Sequence, residues 1–114
     1  MIHIESILND GVKTIRVGGD VDASSSIQLD TEIKSAIEGG DKKILVDCSK
    51  LNYISSAGLG VFMSYIQDIE ANNVKLVIFG LNEKVLNVFE ILGLNQLLKI
   101  ENSTEAAKAY LNEI

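Results

Sequence analysis

Short apolar runs separated by turn residues set the rhythm of the first part of the chain. Residues 2–8 and 12–17 are apolar-rich and are separated by Asn9-Asp10-Gly11. Asp-Gly between two such runs suits a tight turn with positive φ, so the spacing predicts an antiparallel hairpin. Leu29, Ile33, Ala36 and Ile37 then recur at i, i+4, i+7 and i+8, the mark of a helix that buries one face. Gly39-Gly40 follows where a left-handed helix end is expected. Ile44-Leu45-Val46 and Leu76-Val77-Ile78-Phe79 are continuous apolar runs, which suit strands covered on both faces, as in parallel pairing. Between them, Leu59, Phe62, Met63, Ile66 and Ile69 predict a second helix over roughly 57–71. Strand, helix and strand form a βαβ unit whose crossover should be right-handed.

A third helix is expected from Asn82, a good N-cap, with Val85, Phe89 and Leu92 buried and a stop at Gly93. Leu97–Ile100 suits a short edge strand. A last helix starts with Asn102 as cap and Glu105 three residues on, a capping-box spacing, with Ala106, Ala109 and Tyr110 turned inward. The order β-β-α-β-α-β-α-β-α describes an α/β fold in a single domain over 1–114. It is a small mixed sheet, an N-terminal antiparallel hairpin followed by parallel strands, with about four helices packed on it.

Composition narrows the chemistry. The 114 residues carry 10 Lys+Arg against 16 Asp+Glu, a net charge of −6. That balance argues against a nucleic-acid partner, which needs a basic face to displace counterions. No apolar run approaches the roughly 20 residues needed to span a bilayer, and no basic stretch precedes an apolar one at the N-terminus, so the expected setting is the cytosol. One cysteine, Cys48, excludes an internal disulfide, and one histidine, His3, leaves no cluster for zinc. No cofactor and no metal are expected, and His3, in Ile2-His3-Ile4, falls on the polar side of a strand rather than in a catalytic group. The expectation is a protein that is not an enzyme.

One stretch stands apart: Asp47-Cys48-Ser49-Lys50-Leu51-Asn52-Tyr53-Ile54-Ser55-Ser56-Ala57-Gly58-Leu59-Gly60, which joins a buried strand to the second helix. Ser55 or Ser56 can be a plain N-cap, with Ala57, Gly58 and Gly60 allowing tight packing. The same geometry also permits a switch. A hydroxyl at a helix start lies beside amides of partial positive charge, where a phosphate of roughly −1.5 to −2 charges is tolerated by its own helix and resisted by a docked partner. Gly58-Leu59-Gly60 lacks the third glycine of a dinucleotide loop, no Gly-Lys-Ser/Thr follows, and Ile54 stands where a hydrolase elbow needs glycine.

The run Asn52-Tyr53-Ile54-Ser55-Ser56-Ala57-Gly58-Leu59-Gly60-Val61-Phe62 resembles the signature of STAS domains, in particular of bacterial anti-sigma factor antagonists. Val17-Gly18-Gly19-Asp20-Val21-Asp22 resembles the family's turn after the second strand, and Ile44-Leu45-Val46-Asp47-Cys48-Ser49 its strand ending in aspartate and a small residue. The resemblance covers essentially the whole chain. It implies that the unmodified protein binds an anti-sigma factor that is also an ATP-dependent serine kinase, and so frees a sigma factor. Phosphorylation of one serine ends the complex, and a separate phosphatase resets it. By position the phosphoacceptor is Ser56, with Ser55 the second candidate and Asp22, Ser55, Ala57 and Gly58 around it. Asp22 equally suits the role of cap for the first helix.

Two departures stand out: many members carry aspartate before the acceptor and a hydroxyl residue after it, where this chain has Ser55 and Ala57. They motivate the alternative of a STAS scaffold without a phosphoryl switch, a subunit of a signalling or lipid-transport complex. Taking about 100° per residue, Ala57, Val61, Ser64, Tyr65 and Asp68 lie opposite the buried stripe. Val61, Ser64 and Tyr65 are therefore candidates for a partner-docking surface, or else Val61 and Tyr65 pack on the third helix. The expected state is a monomer, with a weak dimer as the alternative.

Overall fold

The computed structural model describes residues 2–112, and its centre is a five-stranded sheet in the order β1-β2-β3-β4-β5. β1 (Ile2–Asn9) and β2 (Val12–Val21) form the antiparallel hairpin. Asp10 (φ 54°) and Gly11 (φ 78°) make its two-residue turn, the left-handed pair that this loop length requires. β2 pairs in parallel with β3 (Lys43–Ile54), β3 with β4 (Lys75–Phe79), and β4 with β5 (Lys99–Glu101). The mixed sheet is the one the sequence predicts.

Five helices, α1 (Ser26–Glu38), α2 (Ser56–Ser64), α3 (Ile66–Ala71), α4 (Glu83–Ile91) and the single turn α5 (Leu94–Leu97), contribute to the larger core. There Leu29 and Ile33 of α1, Leu59 and Phe62 of α2, and Val85 and Phe89 of α4 meet Ile15, Val46 and Ile78 of the sheet. Among the described residues the opposite face carries only α6 (Thr104–Leu111), whose Ala107 and Leu111 bury Leu45, Val77 and Phe79. Gly40 (φ 89°) and Gly93 (φ 73°) take left-handed conformations just beyond α1 and α4, as expected.

Several expectations need correction. β3 does not end near Val46 but runs on to Ile54, so most of the segment expected to join strand to helix is itself strand. It keeps pairing with β2 while Cys48, Leu51 and Ile54 are buried at every third position, a spacing that strict alternation cannot give and that the register shifts about Gly18 and Gly19 accommodate. The stretch 17–21 likewise lies inside β2 rather than in a turn after it. The helix expected over 57–71 is two helices, broken at Tyr65, whose N–H donates to the Phe62 carbonyl in a tighter turn. Met63 leaves the buried stripe and is exposed, because α2 is held through Gly58, Leu59 and Phe62. Leu92 is exposed because α4 stops at Ile91 and buries only Val85 and Phe89. The edge strand starts at Lys99, since Leu94–Leu97 form a helical turn. Ser103, not Asn102, caps α6 by accepting from the Ala106 N–H at 3.1 Å, which moves the inward face to Ala107 and Leu111. Ala109 is exposed, while Ala106 and Tyr110 are half-buried.

Candidate phosphoacceptor site

β2 and β3 leave the sheet side by side, with Val21 opposite Ile54. The Ser55 N–H donates to the Val21 carbonyl at 2.7 Å, so the chain enters α2 beside the turn that begins at Asp22. Ser55 is extended (φ −81°, ψ 171°) and is the N-cap of α2: its hydroxyl oxygen accepts from the Gly58 N–H at 3.2 Å, and its carbonyl accepts from the Leu59 N–H at 3.0 Å. Ser56 is the first residue of the helix. It is exposed, and its hydroxyl makes no hydrogen bond to the described residues. The two adjacent serines thus differ in kind: one oxygen is engaged in holding the helix, and the other faces solvent.

Gly58 lies against the sheet. A Cβ placed there would stand 2.6 Å from Ile54 Cγ1 and 2.8 Å from Val21 Cγ1, both on buried β-branched side chains. The missing side chain sets how closely the start of α2 approaches β2 and β3. Gly58→Ala should therefore cost about 1–3 kcal/mol in urea unfolding, despite alanine's better helix propensity. A variant of wild-type stability would refute this packing argument.

Asp22 is not the cap of α1, whose N-cap is Ser25 with no side-chain cap bond; Asp22 and Ser25 instead bond reciprocally in the turn that precedes the helix. The Ser25 N–H donates to Asp22 Oδ1 at 2.9 Å, and the Asp22 N–H donates to Ser25 Oγ at 2.8 Å. The Ser25 and Ser24 hydroxyls also donate to Oδ1, each at 2.9 Å. These bonds, the Ser25 backbone N–H first, pull the exposed Asp22 carboxyl down from 3.8 to about 2. Because the folded value lies below the unfolded one, the stabilisation is complete above about pH 3.8 and fades as pH falls towards 2. A carbon-detected NMR titration should place the Asp22 midpoint well below that of an ordinary aspartate, and the Ser25→Ala variant should move it back up.

The candidate docking residues separate. Ser64 is exposed, with its hydroxyl donating to the Val61 carbonyl at 2.6 Å. Val61 and Tyr65 are half-buried against the main core. The Tyr65 hydroxyl donates to Asp30 Oδ1 at 2.8 Å, so this side chain ties the α2–α3 junction to α1 and not to the following helix. Desolvation and the Asp30 contact push that phenol up to about 12, so it stays a neutral donor. The exposed apolar side chains on the elements of the site are instead Tyr53 (55% exposed), Met63 (51%) and Ile27 of α1 (67%). Helical periodicity alone assigned Met63 to the core; the glycine at position 58, which fixes the contact line of α2, was the signal for the alternative.

Elsewhere, Cys48 is fully buried, and desolvation, then the neighbouring Asp47 charge, raises its thiol to about 12, which makes it a poor nucleophile. A hollow of about 630 Å³ lies on the α6 face of the sheet and not at Ser56. It is lined by His3, Glu5, Arg16, Gly18, Asp47 and Lys50 among others, and Arg16 there is shared by Glu5 at 3.3 Å and Asp47 at 3.8 Å. No helix among the described residues is long and apolar enough to cross a membrane.

With the sheet, the crossover and the serine pair at the start of α2 in place, the STAS domain family model matches residues 3–107. The chain belongs to the STAS domain family. It is 28% identical over 104 residues, 91% of this chain and 96% of the relative, to the anti-sigma-B factor antagonist of Staphylococcus aureus. The fold is also that of an anti-sigma factor antagonist from Mycobacterium paratuberculosis, with a TM-score of 0.90 over 99% of this chain and 96% of the other at 15% identity. The Bacillus cell fate determinant SpoIIAA, solved in its phosphorylated form, superposes with a TM-score of 0.71, covering 96% of this chain and 98% of that one at 21% identity.

Proposed function

We propose that this protein is an anti-sigma factor antagonist that binds an anti-sigma factor serine kinase in the cytosol, releases a sigma factor, and loses that binding when Ser56 is phosphorylated. A phosphoserine phosphatase would restore it. The observation that carries the reading is the contrast at the start of α2, where the Ser55 oxygen accepts from the Gly58 N–H while the Ser56 hydroxyl stands exposed and unbonded to the described residues. The named relatives and the phosphorylated protein of the same fold support it.

The energetics follow from the helix. A phosphate on the first residue of α2 adds roughly −1.5 to −2 charges beside unpaired amides, which offset part of its cost in the free protein. A partner lying over Tyr53, Ser56 and Met63 must desolvate that charge, a cost that the same amides offset only in part. Modification therefore acts on the complex and leaves the fold in place.

Incubation with the cognate kinase and ATP tests the assignment. Mass spectrometry should find one phosphate on Ser56. The Ser56→Ala variant should take up none, while Ser55→Ala, with its helix cap weakened, should still be modified. Unchanged labelling of Ser56→Ala overturns the choice of serine.

A further inference from the structure

We infer that the outer edge of β1 is a self-association surface, on which a second copy of this chain pairs antiparallel to extend the sheet across a two-fold axis at Ser6. β1 is the end strand of the sheet and is eight residues long, with unbroken register to β2. Its sequence, Ile-His-Ile-Glu-Ser-Ile-Leu-Asn, contains no lysine, proline or glycine, and no bulge twists it away. Those are the devices that normally keep an open edge from pairing. The other edge, β5, has only three residues and carries Lys99 and Glu101.

The hairpin fixes which groups are on offer. Its two-residue turn makes Asn9 and Val12 the closing hydrogen-bonded pair, so Asn9, Ile7, Glu5 and His3 direct their backbone groups to β2. Ile2, Ile4, Ser6 and Leu8 direct theirs outward. A strand is the ligand whose chemistry matches such a row.

The apolar pattern of the edge selects a second copy despite the net charge of −6, and charge selects its register. Two-fold pairing across an edge sets residues of equal parity opposite each other. An axis at Glu5 would place two carboxylates face to face, which is destabilising. An axis at Ile7 would leave only residues 5–9 in register. The axis at Ser6 aligns residues 3–9, sets Ser6 against Ser6, and sets Ile4 against Leu8 twice on the face that carries α1. Leu8, 59% exposed in the single chain, is then covered by the half-buried Ile4 of its mate. On the other face His3 meets Asn9 and Glu5 meets Ile7, and each Glu5 keeps its own Arg16 at 3.3 Å. Ser56 lies beyond β3, two strands from this edge, and remains accessible.

Sedimentation equilibrium of the full chain from roughly 10 µM to 1 mM should show the mean mass rising from the protomer value towards twice that value. Ser6→Pro removes an outward N–H without touching the β1–β2 ladder, although it also breaks the bond that the Ser6 hydroxyl donates to Glu32 Oε2 at 2.6 Å, and Leu8→Lys places charge in the contact; both should remain monomeric throughout. Amide exchange at Ile4, Ser6 and Leu8 in the unaltered chain should slow at least about tenfold between the dilute and concentrated samples, which decides the matter even if a variant fails to fold. A chain that stays monomeric at the highest concentration overturns the inference. So does a dimer that persists in both variants, or protection of these amides that appears only when another protein's strand is added.

Discussion

Phe89→Ala should lower unfolding free energy by about 3–5 kcal/mol, a fall in Tm of at least about 12 °C for a domain of this size. Phe89 is fully buried, and its ring lies 6.0 Å from that of Phe62, inclined at 57°. This tilted contact joins α4 to α2 over the centre of the sheet, and it adds to the apolar area removed from water. α4 has one other buried residue, Val85, so little remains to hold the helix once the ring is gone, and the opening it leaves is lined by rigid neighbours. Leu92→Ala, one turn on, is the control. That side chain is 53% exposed, and its loss should stay within about 0.5 kcal/mol. Chemical unfolding of the pair reads both values, and equal costs would contradict the core described above.

Ser56→Asp should separate folding from binding. An acidic side chain at the first position of α2 suits the partial positive charge of the helix start, and no described residue depends on the Ser56 hydroxyl, so stability should change by no more than about 0.5 kcal/mol. Affinity for the proposed kinase partner should fall about 10- to 1000-fold, equivalent to about 1.4–4 kcal/mol, because the proposed complex would bury the carboxylate unpaired. Calorimetric titration beside a urea melt reports the two effects independently. Retained affinity with intact folding would favour the scaffold reading, in which binding is constitutive. Loss of folding would mean that Ser56 holds the helix after all, contrary to the assignment of that role to Ser55.

The parts of this molecule that were legible in the sequence are those governed by local chemistry. Asp10-Gly11 specifies the hairpin turn, Gly40 and Gly93 mark helix ends, and the runs at 44–46 and 76–79 announce buried parallel strands. The serine pair at the start of α2 was legible for the same reason. Contact geometry was not. The polar half of β3 reads as a loop until its partner β2 is known, since only pairing across the Gly18–Gly19 irregularities makes it a strand. Met63 and Leu92 satisfy helical periodicity yet face solvent, because a helix of nine residues seated through one close contact buries a narrower stripe than the wheel allows. Tyr65 was placed on an outward face by the same wheel. Its bond to Asp30, 35 positions away, is the kind of long-range tie that no local pattern reports.

The unequal dressing of the two sheet faces has a consequence for how the protein comes apart. One side is sealed by five helical segments, the other by α6, eight residues long and anchored by Ala107 and Leu111. Fraying of that single lid uncovers Leu45, Val77 and Phe79 while leaving α2 and its serines seated, so the cheapest excursion from the native state is a C-terminal one. Proteolysis, and sticking between molecules at high temperature, should therefore begin at this back door, on the sheet face opposite the one that carries α2.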